Sequence, residues 1–168
     1  MRLADKVQDW LDHIEWDDKI SLDEENQTSS LAFTYSIKDQ SFKVWIETDE
    51  AHDYFKIYIY APFNALPKKL TECAVLFNHI NTISYRGALS LVDEKGAIRW
   101  RHVIDFEGTD PSVATIHNAF NGGADLLENW FDEITEVALT KTTAQQIIDQ
   151  LEAASESESS EEAVPDFI

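Results

Sequence analysis

LPKKLTECAVLFNHINTISYRGALSLVDEKGAIRWRHVIDF, residues Leu66 to Phe106, is the stretch around which the rest of the chain arranges itself. It reads as one amphipathic helix followed by a β-hairpin. Leu66, Leu70, Cys73, Phe77 and Ile80 recur at spacings of four, three, four and three, which draws one apolar stripe on a cylinder of 3.6 residues per turn. Such a stripe needs a sheet to lie on. In the hairpin, Ile98, Trp100, Ile104 and Phe106 alternate with Ala97, Arg99, Arg101, Val103 and Asp105, so one face is apolar and the other mixed. Asp93-Glu94-Lys95-Gly96 is its turn, with Gly96 at a position that needs a positive φ. Pro62 and Pro67 bracket the entry to the helix, Pro67 in its first turn, where a missing N–H is harmless.

Upstream, period-two patterns predict a three-stranded antiparallel meander. Leu31, Phe33, Tyr35 and Ile37 share a face, as do Phe42, Val44 and Ile46, and then Phe55, Ile57 and Ile59, with turns near Lys38 to Ser41 and Thr48 to Asp53. The opposite face collects Trp45, Tyr54, Tyr58 and Tyr60, interleaved with Lys43 and Lys56. Tyr and Trp are enriched where proteins bind one another, because they bury much area while losing few rotamers. Ordinary cross-strand pairing on a solvated face explains the same residues, and the sequence leaves both readings open. Before the meander, Leu3, Val7, Trp10, Leu11 and Ile14 predict a helix over the first sixteen or so residues. A polar loop follows, with a short extended piece at Ile20 to Leu22.

Downstream, Asp110-Pro111 has the form of a helix cap followed by proline. Val113, Ile116, Phe120, Leu127, Trp130, Phe131, Ile134 and Val137 then keep helical phase. Two interior glycines, Gly122 and Gly123, predict a kink or break with a new start near Asp125. The boundaries are therefore an α+β domain over residues 1–140, a short helix over 141–151 and a disordered acidic tail over 152–168 with an apolar tip. The tail, EAASESESSEE followed by AVPDFI, lacks the apolar content to fold alone. Its tip, Val164, Phe167 and Ile168, is of the kind by which acidic tails engage a partner's hydrophobic groove; a frayed terminus is the plain alternative.

A balance of 13 basic against 32 acidic residues gives a net charge of −19 and opposes direct nucleic-acid binding, which requires Lys and Arg on the phosphates. No Lys or Arg follows Lys141, but the charge is not confined to the tail. No apolar run approaches the roughly 18 to 20 residues a membrane helix needs, and the first residues lack a secretory apolar segment. One cysteine, Cys73, forms no internal disulfide and sits on the apolar stripe. The five histidines, His13, His52, His79, His102 and His117, have no companion at ligand spacing. His102 lies on the apolar face of its strand. The acidic turn Glu47 to Asp53 lacks the ordered alternation and central glycine of a calcium loop. Phosphate loops, nucleophile elbows and dinucleotide fingerprints are absent, so no catalytic, cofactor or metal residue is assigned.

With the order helix, meander, helix, hairpin, long helix in place, FNHINTISYRGALSLVDEKGAIRWRHVIDF and GTDPSVATIHNAFNGGADLLENWFDEITEVAL resemble the YbjN family of bacterial proteins. That family adopts the fold of type III secretion chaperones, and the likeness spans about Leu3 to Leu139. It implies a cytoplasmic, non-enzymatic α+β domain, often a homodimer, that binds a protein or peptide as a chaperone or regulator. Two other classes stay in view. One is an acidic decoy filling the basic site of a nucleic-acid-binding protein. The other is a small hydrolase using His102 or His79 with a carboxylate.

Overall fold

The computed structural model describes the backbone of residues 2–161 and the side chains of residues 2–155. It has five helices and one antiparallel sheet: α1 (Arg2–His13), β1 (Ser21–Asp23), β2 (Thr28–Ile37), β3 (Gln40–Asp49), β4 (Tyr54–Asn64), α2 (Leu70–Ile83), β5 (Ala88–Leu91), β6 (Ala97–Asp105), α3 (Val113–Asn129), α4 (Phe131–Leu139) and α5 (Ala144–Glu161). The six strands lie in the order β1-β2-β3-β4-β6-β5, so meander and hairpin form one sheet joined between β4 and β6. The short piece expected near Ile20 to Leu22 is β1, paired to β2.

The alternation of the strands decides which face the helices cover. Leu31, Ile46 and Ile57 are neighbours across β2, β3 and β4, and one row along, Val44, Ile59, Trp100 and Leu89 are neighbours across β3, β4, β6 and β5. All of these are buried and belong to one core with Leu3, Val7 and Trp10 of α1, Cys73, Leu76 and Phe77 of α2, and Ile116 and Phe120 of α3. The fold is thus two layers among the described residues, helices on one face of the sheet and none of them on the other. No helix among the described residues is long and apolar enough to cross a membrane.

Charged turns fix the helices to this frame. Glu50, in the turn between β3 and β4, accepts hydrogen bonds from the N–H groups of Leu3 (2.9 Å) and Ala4 (2.9 Å), supplying the first turn of α1 with a partner and a favourable charge. Glu72 of α2 does the same for α5, accepting from Ala144 N–H at 2.7 Å. At its other end α1 stops with Glu15 in the left-handed region (φ 56°), closed by the Trp16 N–H on the Leu11 carbonyl.

Several expectations are corrected. Leu66 is exposed, because the chain before α2 forms a single 3-10 turn, Pro67–Lys69, and the buried stripe of α2 is Cys73, Leu76, Phe77 and Ile80. Strand β4 runs through Pro62 to Asn64, with the register shifting between Tyr60 and Asn64 to admit the proline. The long helix starts at Val113, not at Pro111, since Ser112 caps it by accepting from the Thr115 N–H (3.0 Å). It runs unbroken through Gly122 and Gly123. The break falls at Trp130 (φ −109°, ψ 9°), between α3 and α4.

The glycines serve packing. A Cβ on Gly123 would overlap the Trp100 ring and lie 2.9 Å from Ile59 Cδ1, so glycine is what lets α3 press onto the sheet. Gly87 (φ 63°) packs against the same indole, at its Cε2, Cζ2 and Nε1 atoms. Helix α5 also differs, extending to Glu161 where a helix ending at Leu151 and disorder from 152 were expected. Glu152, Ala153 and Ala154 favour helix and no Gly or Pro interrupts the segment up to Glu161, so a helix already anchored by Ala144 and Ile147 propagates.

Candidate functional site

The face of the sheet opposite the described helices is where the polar half of each strand's alternation points. Trp45 and Tyr58 are direct neighbours across β3 and β4, and Lys43 stands opposite Tyr60. On the next strand Tyr58 faces Arg101 and Tyr60 faces Arg99. Meander and hairpin therefore combine into one surface of aromatics and cations. Its centre is a shallow depression of about 640 Å³ lined by Thr34, Lys43, Trp45, Tyr58, Tyr60 and Arg99.

Two interactions hold the shape of the depression. The Arg99 guanidinium lies over the Tyr58 ring at 5.0 Å and the Tyr60 ring at 6.0 Å, a geometry in which the positive charge meets the negative faces of both rings. Trp45 Nε1 donates to Glu47 Oε1 at 2.8 Å, fixing the indole along the strand while 37% of Trp45 stays exposed. Lys56 and Glu47 are opposite each other at the border. The sequence does not place Arg99 and Arg101 on this surface. Their place in the mixed face of the hairpin was visible, but not that β6 would pair with β4.

Tyr54 shares the face without sharing the depression. It pairs with Asp49 and Asp105 at the far end of the sheet, about four residues or 13 Å from Tyr58, and stacks on His52 (centroids 6.5 Å apart, 16° between planes). Val164, Phe167 and Ile168 lie outside the described residues.

The residues considered for chemistry have structural partners. Burial pushes the Cys73 thiol up to about 11, the character of an unreactive core thiol. His117 Nδ1 accepts from Trp10 Nε1 at 3.3 Å and ties α1 to α3. His79 meets Trp130 edge-on. His102 is half-buried beside Trp100, and burial, with Arg86 nearby, holds its pKa below the usual imidazole value. The small cleft at His102, lined by Arg86, Ile104, Thr115, Asn118 and Ala119, has no carboxylate in its wall.

In the acidic turn, Asp49 bonds His52 (3.0 Å), Glu50 receives α1 and Asp53 pairs with Arg2. Burial alone would raise the Asp49 carboxyl, but the hydrogen bonds and charge of His52, with Lys56, leave it below the usual carboxylate range. Among the described residues no group of three or more His, Cys, Asp or Glu side chains is placed to hold a metal ion.

This arrangement, five helices on one face of a six-stranded antiparallel sheet, is a type III secretion chaperone-like α+β fold. A chain of the HopA1–SchA chaperone–effector complex superposes with a TM-score of 0.53 at 15% identity, over 76% of this chain and 91% of that one. A chain of the ExsC–ExsE complex (TM-score 0.49, 15% identity, 77% and 94% covered) and YbjN from E. coli (0.49, 11%, 77% and 92%) are also similar. No family model and no curated protein sequence matches the chain. The fold implied by the sequence resemblance is the fold of this chain.

Proposed function

We propose that the chain is a non-enzymatic interaction module, chaperone-like or regulatory, that binds a polypeptide on the outer face of its sheet and works as a homodimer. The observation that carries this reading is the pairing of Trp45 with Tyr58 on a face that none of the described helices covers, beside an Arg99 held over two tyrosine rings. An extended segment crossing this face would place an apolar side chain in the depression, where burying a Leu or Phe contributes roughly 1.5 to 3 kcal/mol. The rigid rings lose little freedom on contact. The fold's likeness to a chain of a chaperone–effector complex supports a protein partner.

The test is Trp45→Ala with Tyr58→Ala in the full chain. Both side chains lie on the outer face, and the lost cross-strand pairing costs about 0.2 to 1 kcal/mol, so the variant stays folded. Pull-downs from the native cell and sedimentation velocity should show a weakened partner or weakened self-association. Unchanged behaviour in both would remove this surface from consideration. The acidic-decoy reading makes the opposite prediction: neutralising surface acids abolishes binding, and the Trp45 and Tyr58 substitutions leave it intact.

A further inference from the structure

Around its depression the outer face is basic, the opposite of the chain as a whole, while Asp49 and Asp105 lie at the far end of the sheet beside Tyr54. The chain has 13 bases against 32 acids, yet Lys43, Lys56, Arg99 and Arg101 gather around Trp45, Tyr58 and Tyr60. The one acid lining the depression, Glu47, is engaged by the Trp45 indole. The ion pairs among the described residues join Arg2 to Asp53 and Asp110, Lys6 to Asp9, Lys38 to Asp132 and His52 to Asp49; none involves Lys43, Arg99 or Arg101. Arg99 Nε is enclosed by protein and has no hydrogen-bond acceptor there. Its guanidinium is held flat on two rings, and a planar fork so fixed is suited to a carboxylate.

A ligand with several carboxylates and an aromatic or aliphatic group is encoded in the chain itself. After Leu151 come Glu152, Glu156, Glu158, Glu161, Glu162 and Asp166, no Lys or Arg, and the apolar Val164, Phe167 and Ile168. Helix α5 begins in the helical layer, where Ala144 bonds Glu72 of α2, on the opposite side of the sheet from Trp45. It is anchored by Ala144 and Ile147, half-buried at Leu151 and exposed from Glu152 to Ser155. From Leu151 to Glu161 the helix axis advances about 15 Å. A segment that starts in the helical layer has the sheet between it and its own outer face, whereas a second copy presents that face without the sheet in between.

We infer that residues 156–168 of one copy dock on the outer sheet face of a second copy, with carboxylates on Lys43, Arg99 and Arg101 and Phe167 or Ile168 in the depression beside Trp45. This rests on the reading of that face as a polypeptide-binding surface and names its occupant. It also supplies attraction between two chains of net charge −19, which would otherwise repel. A client polypeptide would have to displace the segment, so the tail sets a threshold for client binding.

The test is fluorescence anisotropy of a labelled peptide, ESESSEEAVPDFI, titrated with the dilute full chain. Saturable binding that weakens as salt is raised is expected. Removing one partner of such charge contacts, by Arg99→Glu or by the more exposed Lys43→Glu, weakens it by about tenfold or more. A peptide of equal charge with Phe167→Ser and Ile168→Ser binds about tenfold more weakly as well. In sedimentation, full-length Phe167→Ala with Ile168→Ala associates less than the unaltered chain. Equal binding by the serine peptide, indifference to both charge reversals, or identical association of the two chains overturns the inference. If the peptide does not bind while Trp45→Ala with Tyr58→Ala still loses a polypeptide partner, only the occupant is wrong; if both fail, the reading of the face falls with it.

Discussion

Gly122 and Gly123 are adjacent in α3, and the structure predicts opposite outcomes for the same substitution at each. At Gly123 an added methyl would overlap Trp100 and sit 2.9 Å from Ile59 Cδ1. Trp100 is fully buried, and a Cβ at Gly87 would also overlap its ring, so the indole is tightly packed and has little room to move. Overpacking of this kind costs about 1 to 3 kcal/mol, and an unyielding neighbour places Gly123→Ala near the top of the range. Against that stands a helix-propensity gain of about 1 kcal/mol. The net is a loss of about 2 kcal/mol, or roughly 4 to 8 °C in Tm for a domain of this size. At Gly122 the nearest atom to the new methyl is Arg86 Cδ at 3.5 Å, an ordinary contact. Gly122→Ala should therefore keep the propensity gain and stabilise by up to about 1 kcal/mol. Urea unfolding followed by tryptophan fluorescence and by far-UV circular dichroism measures both variants. Shifts of the same sign in the two would refute the account of α3 as a helix held against Trp100 by a missing side chain.

Three further outcomes follow from the frame. Glu50→Ala removes the acceptor for the first turn of α1 and should lower stability by about 1 kcal/mol, with Glu50→Gln intermediate, as read from urea midpoints. Cys73, its thiol pushed up to about 11 by burial, should react with a thiol reagent at pH 8 orders of magnitude more slowly in the native protein than in urea; equal rates would contradict its place in the core. The folded pKa of His102 lies below its unfolded value because burial disfavours the charged ring. Its contribution to stability is thus complete above pH 6.5 and lost as pH falls through the folded pKa. A pH series of unfolding midpoints should show a decline below 6.5 that His102→Gln removes.

What the sequence makes legible here is whatever repeats. Period-two alternation in Leu31 to Ile37, Phe42 to Ile46 and Phe55 to Ile59 fixes the inner face of the meander, because a slip of one residue would turn every apolar side chain to solvent. The placing of Trp45, Tyr58 and Tyr60 on the other face follows from the same rule. The partner of β4 does not. Its neighbour β6 lies beyond α2 and β5 in the chain, and no local pattern announces a pairing at that separation, so Arg99 and Arg101 stayed apart from the tyrosines they join. Gly122-Gly123 misled for a related reason. Intrinsic propensity argues for a break, and only the approach of Trp100 from another strand explains why glycine stands inside an intact helix.

If the outer face is the binding surface proposed above, the two faces of the sheet divide stability from binding, and the two can be measured separately. Ile57 and Tyr58 are consecutive in β4, one fully buried beneath the helices and the other half-exposed beside Trp45. Truncating Ile57 to alanine leaves a cavity in a core shared by sheet and helices and costs about 2 to 5 kcal/mol. Truncating Tyr58 removes a cross-strand neighbour and the ring beneath Arg99, with a cost nearer 1 kcal/mol. If the outer face were only a solvated wall, losses at Tyr58 would track stability and nothing else. A surface used for binding behaves differently: Tyr58→Ala loses the partner at a temperature where the protein is fully folded, and Ile57→Val, which lowers stability by about 0.5 to 1.5 kcal/mol, keeps it. The discriminating quantity is therefore partner affinity at matched stability. A sheet that spends one face on its core and leaves Trp45, Tyr58 and an Arg99 with no ion pair among the described residues on the other is expected to separate the two.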